Sequence, residues 1–146
     1  MAKKTRTGGG PVTFETGRVS DAMTWGVLAC TRDMPLDVVA RMMSAHRVHA
    51  IVVMGTPDRD DELSPLWGAI SDLDLMAAAA QGGLSRMTVV DAARPTTTSV
   101  GPDDSLRQAA ELMTRERTAH LVVVDPRSGS PVGVLSALDL AAVLSD

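Results

Sequence analysis

Two short stretches hold the residue types most able to do chemistry. "GAISDLDL" spans residues 68–75 and "GVLSALDL" spans 133–140. Each sets a serine three residues before an aspartate, Ser71 with Asp74 and Ser136 with Asp139, at the head of a run rich in Leu and Ala. At a helix start this spacing makes a capping box, in which the serine hydroxyl accepts the third helical N–H and the acidic side chain accepts the serine N–H. An aspartate in the first turn also suits the positive end of the helix dipole. The same groups could hold a ligand. A carboxylate offers two acceptors to two neighbouring ribose hydroxyls, while a serine hydroxyl and helix N–H groups suit a phosphate. Gly68 and Gly133, lacking side chains, would let such a ligand approach the strand. The two readings are compatible.

The elements that must position these residues are written twice. A shift of seventy lays "VSDAM" (19–23) over "VVDAA" (89–93), and "PLDVVARMMSAHRVHAIVVM" (35–54) over "SLRQAAELMTRERTAHLVVV" (105–124). Past residue 54 the shift drops to sixty-five, because "GTPDRDDELSPL" is longer than "DPRSGSP", a difference that a turn absorbs. Leu36, Val39, Ala40 and Met43, matched by Leu106, Ala109, Ala110 and Met113, have the spacing of an apolar helix face. Asp33, and Asp103 or Ser105, are the expected N-caps. "AIVVM" and "HLVVVD" read as buried central strands, and "LWGAI" and "VGVL" as the returning arms of antiparallel hairpins. Each copy closes on a helix. The expected fold is mixed α/β (α+β), two β-α-β-β-α repeats at 18–83 and 84–146 packed through their sheets, after a flexible tail over 1–17. A unit of about 60 residues buries too little surface to stand comfortably alone, so two share the task.

The doubled order of helix, "VVV"-type strand and G-h-h-S-x-x-D ending resembles a pair of cystathionine-β-synthase (CBS) domains, a Bateman module. The resemblance runs from about Arg18 to the end of the sequence, and no residues remain over for an enzyme domain. It implies a non-catalytic sensor binding an adenosine-containing ligand (AMP, ADP, ATP or S-adenosylmethionine) in clefts between the two repeats, with no cofactor required. By the same resemblance Asp74 and Asp139 hold the ribose, and Ser71 and Ser136 the phosphate. The segment before the first helix contributes Ala29 and Cys30 in one copy and Thr98, Ser99 and Val100 in the other. A residue ahead of the central strand faces phosphate, among Arg47 and His49 or Arg117 and His120, with His120 favoured. The resemblance further implies a homodimer, with an unidentified protein target. The first copy departs from the pattern in its acidic turn, which would repel a phosphate, so the second site is the stronger candidate.

Composition and the remaining residues narrow the alternatives. With 45% hydrophobic and 22% charged residues the chain can build a core. A net charge of −4 argues against a surface made for nucleic acid, although Lys3, Lys4 and Arg6 leave a basic end. No apolar run reaches the roughly 18 residues of a membrane span, and "MAKKTRTGGGP" lacks the apolar centre of a secretory signal, so a cytoplasmic location without membrane contact is expected. The single cysteine, Cys30, reads as a small buried residue rather than a nucleophile. Zinc held by Cys30, His46, His49 and His120 would need ligands scattered over both copies, and no metal site is expected. The competing function is a ligand-free module for dimerisation or partner docking, motivated by Met42, Met43, Met54, Met76, Met87 and Met113. These methionines, with Trp25 and Trp67, are expected to serve the core first.

Overall fold

The apolar faces read from the sequence turn inward. Leu36, Val39 and Met43 are buried on one helix, and Leu106, Ala109 and Met113 on its counterpart. The structure, a computed structural model, describes residues 11–55, 66–95 and 98–145. In chain order its first half holds α1 (Val19–Ala22), β1 (Thr24–Trp25), β2 (Ala29–Thr31), α2 (Leu36–His46), β3 (Ala50–Met54), β4 (Leu66–Ser71) and α3 (Asp72–Ala80). After a 3-10 turn (Leu84–Arg86), the second half holds α4 (Val89–Ala92), β5 (Arg94–Pro95), β6 (Ser99–Val100), α5 (Leu106–Glu116), β7 (His120–Val124), β8 (Pro131–Ser136) and α6 (Ala137–Leu144). No described helix is long and apolar enough to cross a membrane.

Among the described residues two four-stranded sheets form, in the orders β2-β3-β4-β5 and β1-β8-β7-β6. The hairpins β3/β4 and β7/β8 are antiparallel, as the turn residues between them predict, and β2 and β6 run parallel to the central strands. Each central strand is buried on both faces, at Ile51, Val52 and Val53 and at Leu121, Val122 and Val123. This is the arrangement a continuous β-branched run favours.

The compact units and the sequence repeats do not coincide. Among the described residues, one unit joins the chain up to Gly26 with the stretch from Thr98 onward, and the other lies within Val27–Thr97. Each leading helix and two-residue strand has therefore changed sides. β1 pairs with β8, and β5 pairs with β4. The same exchange ties down the helix starts: Leu106 N–H donates to Gly17 O at 3.2 Å, and Leu36 N–H to Met87 O at 3.0 Å. Val19 joins the core around Leu106 and Leu135, while Val89 joins that around Leu36 and Ile70.

Three expectations need correction. Residues 11–17 are not a loose tail: Val12 and Phe14 pack on the core of their unit, and the Arg107 guanidinium lies 5.3 Å from the Phe14 ring centre. Gly17 N–H closes the turn onto Thr13 O at 2.7 Å, and Gly17 is buried where a Cβ would meet Thr13 O and Leu106. Residues 1–10, with the basic cluster, lie outside the described residues. Asp33 does not cap α2, whose N-cap is Pro35. Its carboxylate instead accepts the Thr31 hydroxyl at 2.6 Å, a bond that holds its pKa below the usual carboxylate range. Ser105 does cap α5, reciprocally with Gln108. Trp25 stands 59% exposed and Met76 60%, so neither serves the core, whereas Met43 and Met113 are buried and Trp67 packs against the core to which Leu36 belongs.

Candidate functional site

Each serine is both the last residue of a strand and the N-cap of a helix, which fixes its side chain at the corner where the chain changes direction. Ser71 Oγ accepts Asp74 N–H at 3.2 Å, and Asp74 Oδ2 accepts Ser71 N–H at 2.9 Å. In the second corner the corresponding distances are 3.0 Å and 2.9 Å for Ser136 and Asp139. The capping box is thus formed twice, from half-buried side chains. It engages one oxygen of each carboxylate, and the serine hydroxyls act in it as acceptors, a role that uses no serine proton.

The helix starts are also pinned to the residues just ahead of β3 and β7. Asp72 N–H donates to His49 O at 2.9 Å, and Ala137 N–H to Ala119 O at 2.8 Å. Across the hairpins, Ser71 stands opposite Ala50 and Ser136 opposite His120. His120 therefore belongs to the second corner, and Thr118 Oγ1 holds its backbone by donating to His120 O at 3.0 Å. His49 is not its counterpart: it matches Ala119, and its Nδ1 lies 2.9 Å from Asp72 Oδ2. Asp72 Oδ1 in turn accepts Leu73 N–H at 2.8 Å.

The glycines act differently from the sequence expectation. A Cβ at Gly68 would overlap Arg94 O, and one at Gly133 would overlap Thr24 O and the end of Met23. The missing side chains make room for the exchanged strands β5 and β1, not for a ligand. This is a correction with a clear cause, since a paired backbone already fills the space.

The leading strands divide by face. Ala29 and Ser99 are exposed on β2 and β6, whereas Cys30 and Val100 turn into the two cores. Those two side chains leave the candidate set, and what their positions can offer a ligand is backbone. Burial pushes the Cys30 thiol up to about 11 and keeps it protonated at neutral pH, unsuited to attack. Thr98, half-buried, precedes β6. Arg47 and Arg117 end α2 and α5 in the left-handed conformation, at φ 53° and 52°. Among the described residues no group of three or more His, Cys, Asp or Glu side chains could hold a metal. The acidic turn lies largely outside the described residues, at 56–65.

Sequence reading missed Asp72 and Thr118. Asp72 was visible as the extra acid in "SDLDL" against "SALDL".

The chain belongs to the CBS domain family, whose sequence model matches residues 19–81 and again 88–146. It is 29% identical over 124 residues to the CBS domain-containing protein YhcV of Bacillus subtilis, covering 84% of this chain and 82% of that protein. Its fold is similar to the CBS domain pair of protein MJ0100 in complex with 5′-methylthioadenosine and S-adenosyl-L-methionine. There the TM-score is 0.74 at 18% identity, over 87% of this chain and 98% of that one. It is similar also to Hypoxic Response Protein I with two coordinated zinc ions, at a TM-score of 0.67 and 21% identity, over 86% and 97% of the two chains.

Proposed function

We propose that this chain is a non-catalytic regulatory module that binds an adenosine-containing ligand at the Ser71/Asp74 and Ser136/Asp139 corners. The observation that carries the reading is the doubled serine–aspartate corner itself, in a chain that belongs to the CBS family. The adenosine ligands of the MJ0100 domain pair support the choice of ligand class. Asp74 and Asp139 serve the ribose, Ser71 and Ser136 the group on its 5′ carbon, and the exposed strand residues Ala29 and Ser99 lie on the candidate surface. A ligand regulates by binding one state of the protein more tightly than another, and that differential is what a partner protein would sense.

A thermal-shift panel of AMP, ADP, ATP, S-adenosylmethionine and NAD tests the reading. A ligand at a hundred times its dissociation constant adds about 2.7 kcal/mol to stability, enough for a clear rise in Tm. If no member of the panel raises Tm, the second reading takes over: a module that acts by self-association or docking. Leu73, Leu138 and Leu144, exposed by 74%, 61% and 64%, favour that reading.

A further inference from the structure

The two corners differ at a pair of positions that are bonded to each other, and both members of the pair change together. His49 and Asp72 in the first corner are Ala119 and Ala137 in the second. The equivalence is structural, because the same backbone bond links each pair, Asp72 N–H to His49 O and Ala137 N–H to Ala119 O. In the first corner Asp72 occupies the helix start. Its Oδ1 takes Leu73 N–H and its Oδ2 meets His49 Nδ1, so the first three N–H groups of α3 are all bonded, to His49 O, Asp72 Oδ1 and Ser71 Oγ. In the second corner the methyl of Ala137 supplies no such acceptor to Leu138 N–H. The first corner therefore carries two carboxylates, Asp72 and Asp74, around a helix start whose donors are spent, while the second carries Asp139 alone and has His120 across the strand pair.

We infer that the His49–Asp72 pair sets ligand charge: the first corner takes adenosine ligands that are neutral or cationic beyond the ribose, and the second takes those that carry a phosphate. The inference rests on the adenosine reading above and specifies it. Helix N–H groups hold an anion only while they are available. A carboxylate within roughly 6 Å of a phosphate in a half-exposed site weakens its binding about tenfold. Asp72 acts on both counts. It spends a donor and adds a like charge.

AMP and 5′-methylthioadenosine share base and ribose and differ at the 5′ group, phosphate against neutral thioether, which makes them the probes. Each is titrated into the full chain at pH 8, and the backbone amide signals of Leu73 and Leu138 are followed by NMR as separate reporters of the two corners. The expected ratio of AMP to methylthioadenosine affinity is at least tenfold higher at Leu138 than at Leu73. Asp72→Ala should raise AMP affinity at Leu73 about tenfold and move methylthioadenosine by less than twofold. Asp72→Asn keeps an acceptor for Leu73 N–H and removes the charge, so it should give part of that gain even if the alanine variant folds poorly. Introducing Ala119→His with Ala137→Asp should lower AMP affinity at Leu138 by a similar factor. Equal ratios at both corners, or AMP binding at Leu73 that ignores Asp72, would overturn the inference while leaving the adenosine reading intact. If neither probe moves either amide, the adenosine reading fails and the inference falls with it.

Discussion

The two copies agree where they pack and disagree where they meet solvent. Leu36 and Leu106, Val39 and Ala109, Met43 and Met113, Val53 and Val123, and Ile70 and Leu135 are matched pairs, all buried in their respective cores. Around them some of the matches fail. Pro35 begins α2 without a side-chain cap where Ser105 and Gln108 make a full box, and His49 with Asp72 stands against two alanines. Close packing tolerates few changes of volume, so duplicated cores stay alike. A corner that faces water carries no such constraint, and its differences are where the copies can acquire separate tasks.

The largest expected effects test the equivalence of the cores. Leu36→Ala and Leu106→Ala should each cost about 2–5 kcal/mol in urea unfolding, with values close to one another. A large disparity would show that the matched positions are not energetically alike. Next come the glycines against the exchanged strands. Gly68→Ala and Gly133→Ala should each cost about 1–3 kcal/mol, because the added methyl meets a backbone carbonyl that can move only by breaking strand pairing. Hydrogen exchange should then speed up at the β4/β5 or the β1/β8 pairing respectively. Ser105→Ala should cost about 1 kcal/mol by removing the cap of α5, and Pro35→Ala, which removes no capping side chain, should cost clearly less. Thermal unfolding of both variants checks the contrast. The smallest effect has the opposite sign. Arg47→Gly and Arg117→Gly should each stabilise by about 0.5–1 kcal/mol, since glycine relieves the left-handed backbone at both helix ends.

The sequence made the repeated part of the molecule legible and left the exchanged part hidden. Helical and strand periods located α2, α5, the two hairpins and their buried faces, because each of those elements buries a full apolar stripe. β1 and β5 are two residues each, "TW" and "RP", too short for any period to register. Their destination depends on long-range pairing with β8 and β4, which Gly133 and Gly68 permit by lacking a side chain. The same glycines were read as room for a ligand because spacing does not tell what fills a gap. Residues 11–17 looked like a tail since their anchoring rests on few side chains, chiefly Val12 and Phe14. The serine–aspartate corners were legible in full, as caps built from local spacing. The bonding of Asp72 to His49 was not, because the two lie twenty-three residues apart in sequence.

Isothermal calorimetry of the intact chain with AMP and with 5′-methylthioadenosine tests most directly that these corners bind adenosine ligands. It would be run on the native protein and on Asp74→Asn, Asp139→Asn and the double variant. The account predicts saturable heat for the native chain, loss of one set of sites in each single variant, and loss of both in the double, with each variant folded by circular dichroism. Native-like binding in the double variant, or no heat from the native chain with either ligand, would contradict it.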